Sequence, residues 1–263
     1  MLFDTHAHYD DDKFDSDRHD AIARAFENGV SYILNASSDM DSVRTSISLA
    51  GEFDSVYAAV GIHPHNVAET SESAVRALSE LAGNRKVVAI GEIGLDYYYD
   101  FAPRELQKQW FIKQIDLARN LGLPIIVHNR EAHEDVLRIV KNECAGEMKG
   151  VFHCFSGSVE MAKELVLNGF YISVGGQVTF KNAKRIIDVV KQVPDNRLLI
   201  ETDCPYLAPE PYRGKRNESS YLKFTAEKVA EIRGADFEHI AEITTKNAKM
   251  LFGIADFIET STR

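Results

Sequence analysis

LFDT (Leu2–Thr5), then DRHDAIARAFEN (Asp17–Asn28), then YILNA (Tyr32–Ala36) is the stretch on which the fold turns. The two outer runs are short and apolar, as buried strands are. The middle one places Ile22, Ala25 and Phe26 on one helical face, and Gly29 stands at the position just past a helix where glycine is favoured. Strand, helix, strand is the unit of a parallel sheet, because each parallel crossover needs a long connection.

The same unit recurs outward along the chain. Further apolar runs lie at Val56–Val60, Val87–Ile90, Ile125–Val127, Val151–Phe152, Tyr171–Val174 and Leu198–Ile200. Helical periodicity marks Arg104–Leu121, which carries Leu106, Trp110, Ile112, Ile115 and Leu117 and is closed by Gly122 and Pro124. It also marks Val159–Leu167 before Asn168-Gly169, Asn182–Gln192 before Pro194, and two closing helices near Tyr221–Ile232 and Phe237–Leu251. Eight strands alternating with helices in 263 residues predict a TIM (β/α)8 barrel, one α/β domain over residues 1–263. An open doubly wound sheet is the alternative.

Composition agrees with one large core, since 44% of the residues are hydrophobic. No run approaches the roughly 18 apolar residues of a membrane helix. Asp4 and His6 interrupt the first apolar run, so no signal peptide is expected. Three scattered cysteines, Cys144, Cys154 and Cys204, make no disulfide framework and agree with a cytoplasmic location. The formal charge of −10 repels polyanions, so affinity for nucleic acid must come from local features or bound metal.

Residues that ligate metal stand where the apolar runs stop. The first run leads into His6 and His8, which share a face in extended chain. An isolated HxH is weak evidence and is more often ordinary histidine. Later runs, however, lead into Glu92, His128, His153 and Asp203, at the strand ends where barrel enzymes build their sites. Burying these groups together without compensation is costly, and metal supplies the compensation. The donors exceed the need of one tetrahedral ion, and Glu92 has two oxygens with which to bridge a pair. Two divalent ions (Mg, Mn or Zn) are therefore expected, able to polarise a substrate oxygen and supply hydroxide at neutral pH. No thiolate is in the set, and alternation along a strand puts Cys154 and Cys204 outside the site.

The strings DTHAH (Asp4–His8), GIHPH (Gly61–His65), GEIGLDY (Gly91–Tyr97), HNR (His128–Arg130), FHCFSG (Phe152–Gly157), ETDCPYLAP (Glu201–Pro209) and RGKRNE (Arg213–Glu218) occur in that order. Together they resemble the TatD-like metal-dependent deoxyribonucleases of the amidohydrolase-like superfamily, over nearly the whole chain. The resemblance implies that His6 and His8 bind one ion and His128 and His153 the other. Glu92 would bridge them, and Asp203 would bind the first ion and contact the attacking water, which makes Asp203 and Glu92 the catalytic pair. It also implies substrate contacts from Asn217 and Glu218. Ser219-Ser220 stands where that family often has proline, so the loop there is expected to differ.

Other residues carry two readings each. His63 and His65 either contact phosphate or are structural. Arg130 either grips phosphate with its planar fork or pairs with a carboxylate. Glu201 is expected to support the ligands, and Asp96 to order the loop after Glu92. Arg213, Lys215 and Arg216 either grip a nucleic-acid backbone or form a solvated loop. Tyr97, Tyr98, Tyr99, Phe101, Tyr206 and Tyr212 either stack unpaired bases or pack over the mouth.

The reading is a metal-dependent hydrolase of phosphodiester bonds in DNA, an exonuclease acting on ends or single strands. Its partner is single-stranded or frayed DNA and no membrane, with the oligomeric state left open, a monomer included. The alternatives are a metal-dependent amidohydrolase or esterase, such as a D-aminoacyl-tRNA deacylase, and an inactive protein that binds nucleic acid or a partner.

Overall fold

In the computed structural model the strands are β1 (Leu2–Ala7), β2 (Val30–Ala36), β3 (Val56–Val60), β4 (Val87–Asp96), β5 (Ile125–Arg130), β6 (Gly150–Phe152), β7 (Tyr171–Val174) and β8 (Leu198–Ile200). They form one parallel sheet in chain order. The structure describes residues 1–144 and 148–255; the last part of the expected 1–263 span lies outside the described residues. Beyond the end of β8, Asp203 N donates to His6 O at 2.9 Å and His8 N to Cys204 O at 2.8 Å, so the last strand's extension meets the first and the sheet comes round on itself. Thr5 Oγ1 adds a bond to Ile200 O at 3.0 Å. The chain thus folds as the barrel its alternation predicts.

Nine helices are described: α1 (Arg18–Glu27), α2 (Met40–Glu52), α3 (Ser73–Leu81), α4 (Arg104–Leu121), α5 (His133–Cys144), α6 (Val159–Leu167), α7 (Lys184–Gln192), α8 (Leu222–Arg233) and α9 (Phe237–Phe252). Three of them, α2, α3 and α5, go beyond those read from periodicity. In α2 the buried face includes Ser42 and Ser46 beside Val43 and Leu49, so its stripe is not apolar in sequence. What starts it is Asp39, whose carboxylate accepts from Ser42 N while Ser42 Oγ accepts from Asp39 N, a reciprocal cap. None of the described helices is long and apolar enough to cross a membrane.

Hydrophobic burial has two parts. One cluster takes a side chain from every strand, among them Phe3, Leu34, Ala59, Val88, Ile126, Val151, Tyr171 and Leu199, and joins them to Leu251 and Phe252 of α9. This fills the barrel as a packed interior. The larger cluster lies between strands and helices and includes the fully buried Trp110 and Phe111 of α4.

Two strands run further than their apolar runs suggest. β4 continues through Gly91 and Gly94 to Asp96, and β5 through His128 to Arg130. Glycines read as breakers in a sequence, but here they permit close approach. Gly94 adopts φ +146°, and a Cβ on it would collide with the His128 carbonyl. That approach is what brings Glu92 and His128 onto one site.

Candidate metal centre

Glu92 is 3% exposed and stands at the middle of the site. Its two oxygens face different histidines. Oε2 lies 3.3 Å from His6 Nε2 and 3.5 Å from His8 Nε2. Oε1 lies 2.6 Å from both His128 Nδ1 and His153 Nε2, and 3.6 Å from His63 Nε2. Asp203 Oδ1 closes the first set at 3.5 Å from His8 Nε2 and 3.9 Å from His6 Nε2. The six residues expected as ligands are thus brought together, with donor groups His6/His8/Asp203 and His63/Glu92/His128 each drawn within 4.8 Å.

The electrostatics call for positive charge between these groups. Burial alone would raise Glu92, yet the surrounding imidazoles, His153 foremost, hold its carboxyl well below the usual range. Asp203 is likewise lowered: burial is outweighed by the His8 hydrogen bond and the charge of His153. Burial would lower His8, but Asp203, Glu92 and Asp10 push it up to about 9. His6 and His63 move the other way, lowered chiefly by burial.

Divalent cations fit this donor set. His8 Nδ1 donates to Ala36 O at 2.9 Å, so a neutral His8 presents a lone pair at Nε2. That nitrogen faces His6 Nε2 at 3.0 Å, and two lone pairs at this distance need a cation or a shared proton between them. Nitrogen and oxygen donors without thiolate suit hard or borderline ions.

Behind the ligands lie groups that orient them. His6 and His153 stack with centroids 3.9 Å apart at 14°. His153 Nδ1 is 3.5 Å from Glu201 Oε1, while His6 Nδ1 and Glu201 Oε2 are buried without a hydrogen-bond partner. Asp96 does more than order its loop. Its Oδ1 accepts from Tyr98 N and Tyr99 N, both at 2.9 Å, and its Oδ2 takes His65 Nε2 at 2.8 Å and His128 Nε2 at 3.1 Å. Sequence reasoning missed that second role because it ended β4 at Ile90. Read on to residue 96, alternation puts Glu92, Gly94 and Asp96 on one face.

Cys154 also corrects an expectation. β6 ends at Phe152, so strand alternation no longer applies two residues later. Cys154 has φ +42°, its N–H donates to Glu201 Oε1, and its thiol accepts from Gln177 Nε2 at 3.4 Å beside the site. Cys204 does pack outside, fully buried and 4.0 Å from Ser219 Oγ.

The expected substrate contacts divide. His63 is buried against Glu92, and its ring meets His128 edge-on at 4.4 Å. His65 is held by Asp96. Arg130 is exposed, its guanidinium over Tyr98 and Tyr99 at 4.3 and 4.9 Å. Arg213 is exposed and lies 4.3 Å over Phe180. Arg216, by contrast, forks onto Asp17 at 2.6 and 2.8 Å. Asn217 is 0% exposed and gives its amide hydrogens to Thr202 O and Tyr206 O at 2.8 and 2.7 Å, so it pins the loop after Asp203 and faces no solvent. Glu218 is buried against Arg24 at 2.7 Å.

The family model described as TatD related DNase matches residues 3–253. A Bacillus subtilis protein named uncharacterized metal-dependent hydrolase YabD is 49% identical, covering 97% of this chain and all of its own length. A Shigella flexneri protein named 3′-5′ ssDNA/RNA exonuclease TatD is 34% identical, with 97% of this chain and all of its own covered. The crystal structure of the Escherichia coli TatD homologue YJJV superposes with a TM-score of 0.91 at 31% identity, covering 97% of this chain and 98% of that one.

Proposed function

The chain belongs to the TatD-related DNase family of metal-dependent hydrolases acting on ester bonds, and from that premise we propose that it removes nucleotides from the ends of single-stranded or frayed DNA. The observation that carries the reading is the division of Glu92: one oxygen faces His6 and His8, the other His128 and His153. Two divalent ions would be held by these residues, His6, His8 and Asp203 on one side of Glu92 and His128 and His153 on the other. Bound there, Mg, Mn or Zn ions would offset phosphate charge and lower the pKa of a water at the site.

The chain's own groups do the rest. Asp203 keeps 14% of its side chain open to solvent, against 4% for Glu92, so it is the carboxylate a water can reach. It accepts the water's proton as the oxygen bonds to phosphorus and the bond to the departing nucleoside oxygen breaks. That leaving oxygen takes a proton from solvent. Arg130 and Arg213 hold neighbouring phosphates by charge-assisted hydrogen bonds, and His63 and His65 wall the β3 side. Unbridged thiols at Cys144, Cys154 and Cys204 support a cytoplasmic site of action.

The test compares a chromogenic phosphodiester, a carboxylic ester and an amide under Mg, Mn and Zn, followed by end-labelled single and double strands. Preferential turnover of the diester and stepwise shortening of single strands are expected. Preference for the ester or amide would favour deacylation instead, and no turnover at all would leave a binding protein.

A further inference from the structure

We propose that Tyr98, Tyr99 and Phe101, with Arg130, form a stacking platform for the unpaired nucleobase next to the scissile phosphate, which makes the preference for unpaired ends a property of the loop after β4. The proposal rests on the nucleic-acid reading above and names where that reading is enforced.

Three aromatic rings lie open to solvent in one short loop: Tyr98 is 60% exposed, Tyr99 47% and Phe101 65%. They form one patch, with Tyr99 and Phe101 nearly parallel at 5.3 Å and 24° and Tyr98 edge-on to Tyr99 at 5.0 Å. Packing over the barrel mouth accounts for other aromatics of these loops. Tyr97 donates its hydroxyl to Asp135 at 2.7 Å beneath Arg104, and Tyr212 stacks on Tyr221 at 4.2 Å. It does not account for Tyr98 and Phe101, which remain mostly in water. A contiguous exposed apolar patch of this kind marks a binding surface.

Two observations choose the occupant. The first is continuity with the metal centre. The Asp96 carboxylate that holds His128 also holds the backbone of Tyr98 and Tyr99, and His65 meets Phe101 at 4.9 Å and Tyr99 at 5.3 Å. The patch is therefore tied to the ligand set and does not float beside it. The second is charge. Arg130 lies over Tyr98 and Tyr99, and among the described residues no carboxylate pairs its guanidinium. Arg24, Arg138 and Arg216 are all so paired. A π face beside a free planar cation is the combination that grips single strands, the ring stacking the base and the cation meeting phosphate. Bases in a duplex are already stacked on each other and cannot use it.

The experiment uses the metal-reconstituted full chain and two end-labelled single-stranded oligonucleotides. One is intact; the other has abasic residues flanking the terminal phosphodiester. Wild type should prefer the intact strand in kcat/KM by about tenfold or more, the size expected for one stacked base. Tyr98→Ala/Phe101→Ala should bring that ratio close to one, whereas Tyr98→Phe, which keeps the ring, should preserve it. The replaced side chains are largely exposed, and circular dichroism verifies that the fold persists. A wild-type ratio near one, or equal proportional losses on both strands in the double variant, would overturn the platform while leaving the nuclease reading in place. Turnover of a small phosphodiester without cleavage of either strand would overturn both.

Discussion

Asp96 Oδ2 lies 3.1 Å from His128 Nε2, across the imidazole from Glu92, which takes Nδ1 at 2.6 Å. The ring is thus clamped at both nitrogens by carboxylates, one inside the candidate centre and one behind it. Burial would raise Asp96, but its bonds to His128 and His65 hold it well below the usual carboxylate range. Asp96→Ala removes the outer clamp and frees the Tyr98–Tyr99 backbone. Divalent-ion affinity, read by competition with a chromogenic chelator, should fall by about 10- to 100-fold. Unchanged affinity would show that the clamp does not orient His128.

The division of Glu92 predicts stoichiometry. Elemental analysis after reconstitution should approach two divalent ions per chain, because His6 and His8 face one oxygen and His128 and His153 the other. Glu92→Gln keeps the shape but loses the charge shared between both sets, and should lower occupancy at both. Saturation at one ion in wild type, across Mg, Mn and Zn, would remove the bridge.

Much of this arrangement was legible in the sequence, because barrels gather ligands at strand ends and each ligand follows its own apolar run. What was not legible depended on distance between strands. The apolar run stops at Ile90, whereas Gly91 and Gly94 let β4 lie close to β5 and carry Asp96 onto the face of Glu92. The contrast between Arg213 and Arg216 was hidden too. Both sit in one basic string, and only the position of Asp17, some two hundred residues earlier, separates them. For the same reason the loop aromatics could not be sorted into packed and exposed.

Asp203→Asn should leave the fold intact and lower kcat by about a hundredfold or more, since an amide is a poor ligand and cannot take a proton from water. Its position is set independently of its charge, by Asp203 N donating to His6 O at 2.9 Å and by the Asn217 amide on Thr202 O at 2.8 Å. Activity near wild type with metal content unchanged would refute its role.

Ser219, where the resembled family often carries proline, is used here. Its hydroxyl donates to Asp4 Oδ2 at 2.6 Å and its N–H to the Tyr9 hydroxyl at 3.1 Å, a bond proline cannot make. Asp4 is fully buried and also takes Thr202 N at 2.9 Å, so the serine helps fix the strand that delivers Asp203. Ser219→Ala leaves a buried carboxylate short of a donor and should cost about 1–3 kcal/mol in urea denaturation. A change within about 0.5 kcal/mol, the usual scatter of neutral substitutions, would mean that Thr202 suffices.

Arg213 and Arg216 should give opposite phenotypes, although only two residues separate them. Arg216 is committed to Asp17 at 2.6 and 2.8 Å, and that pairing, with Arg24, holds the Asp17 carboxyl down at about 2. Arg216→Ala should therefore lower stability by about 1 kcal/mol or less at neutral pH, the range of a partly exposed pair. The sign follows from the depressed pKa: the contribution is present above about pH 4, where the unfolded aspartate is ionised, and is lost as pH falls towards 2. Arg213 has an aromatic face beneath it at 4.3 Å, and among the described residues no carboxylate pairs its guanidinium. Arg213→Ala should leave stability unchanged and weaken single-stranded DNA. With the chain at −10 and few cations engaged, the salt slope of DNA affinity should be shallow, on the order of −2 to −4 in log units, and Arg213→Ala should make it shallower by about one. If Arg216→Ala changed the slope and Arg213→Ala did not, the phosphate contact would belong to Arg216, and its bond to Asp17 would have to open when DNA binds.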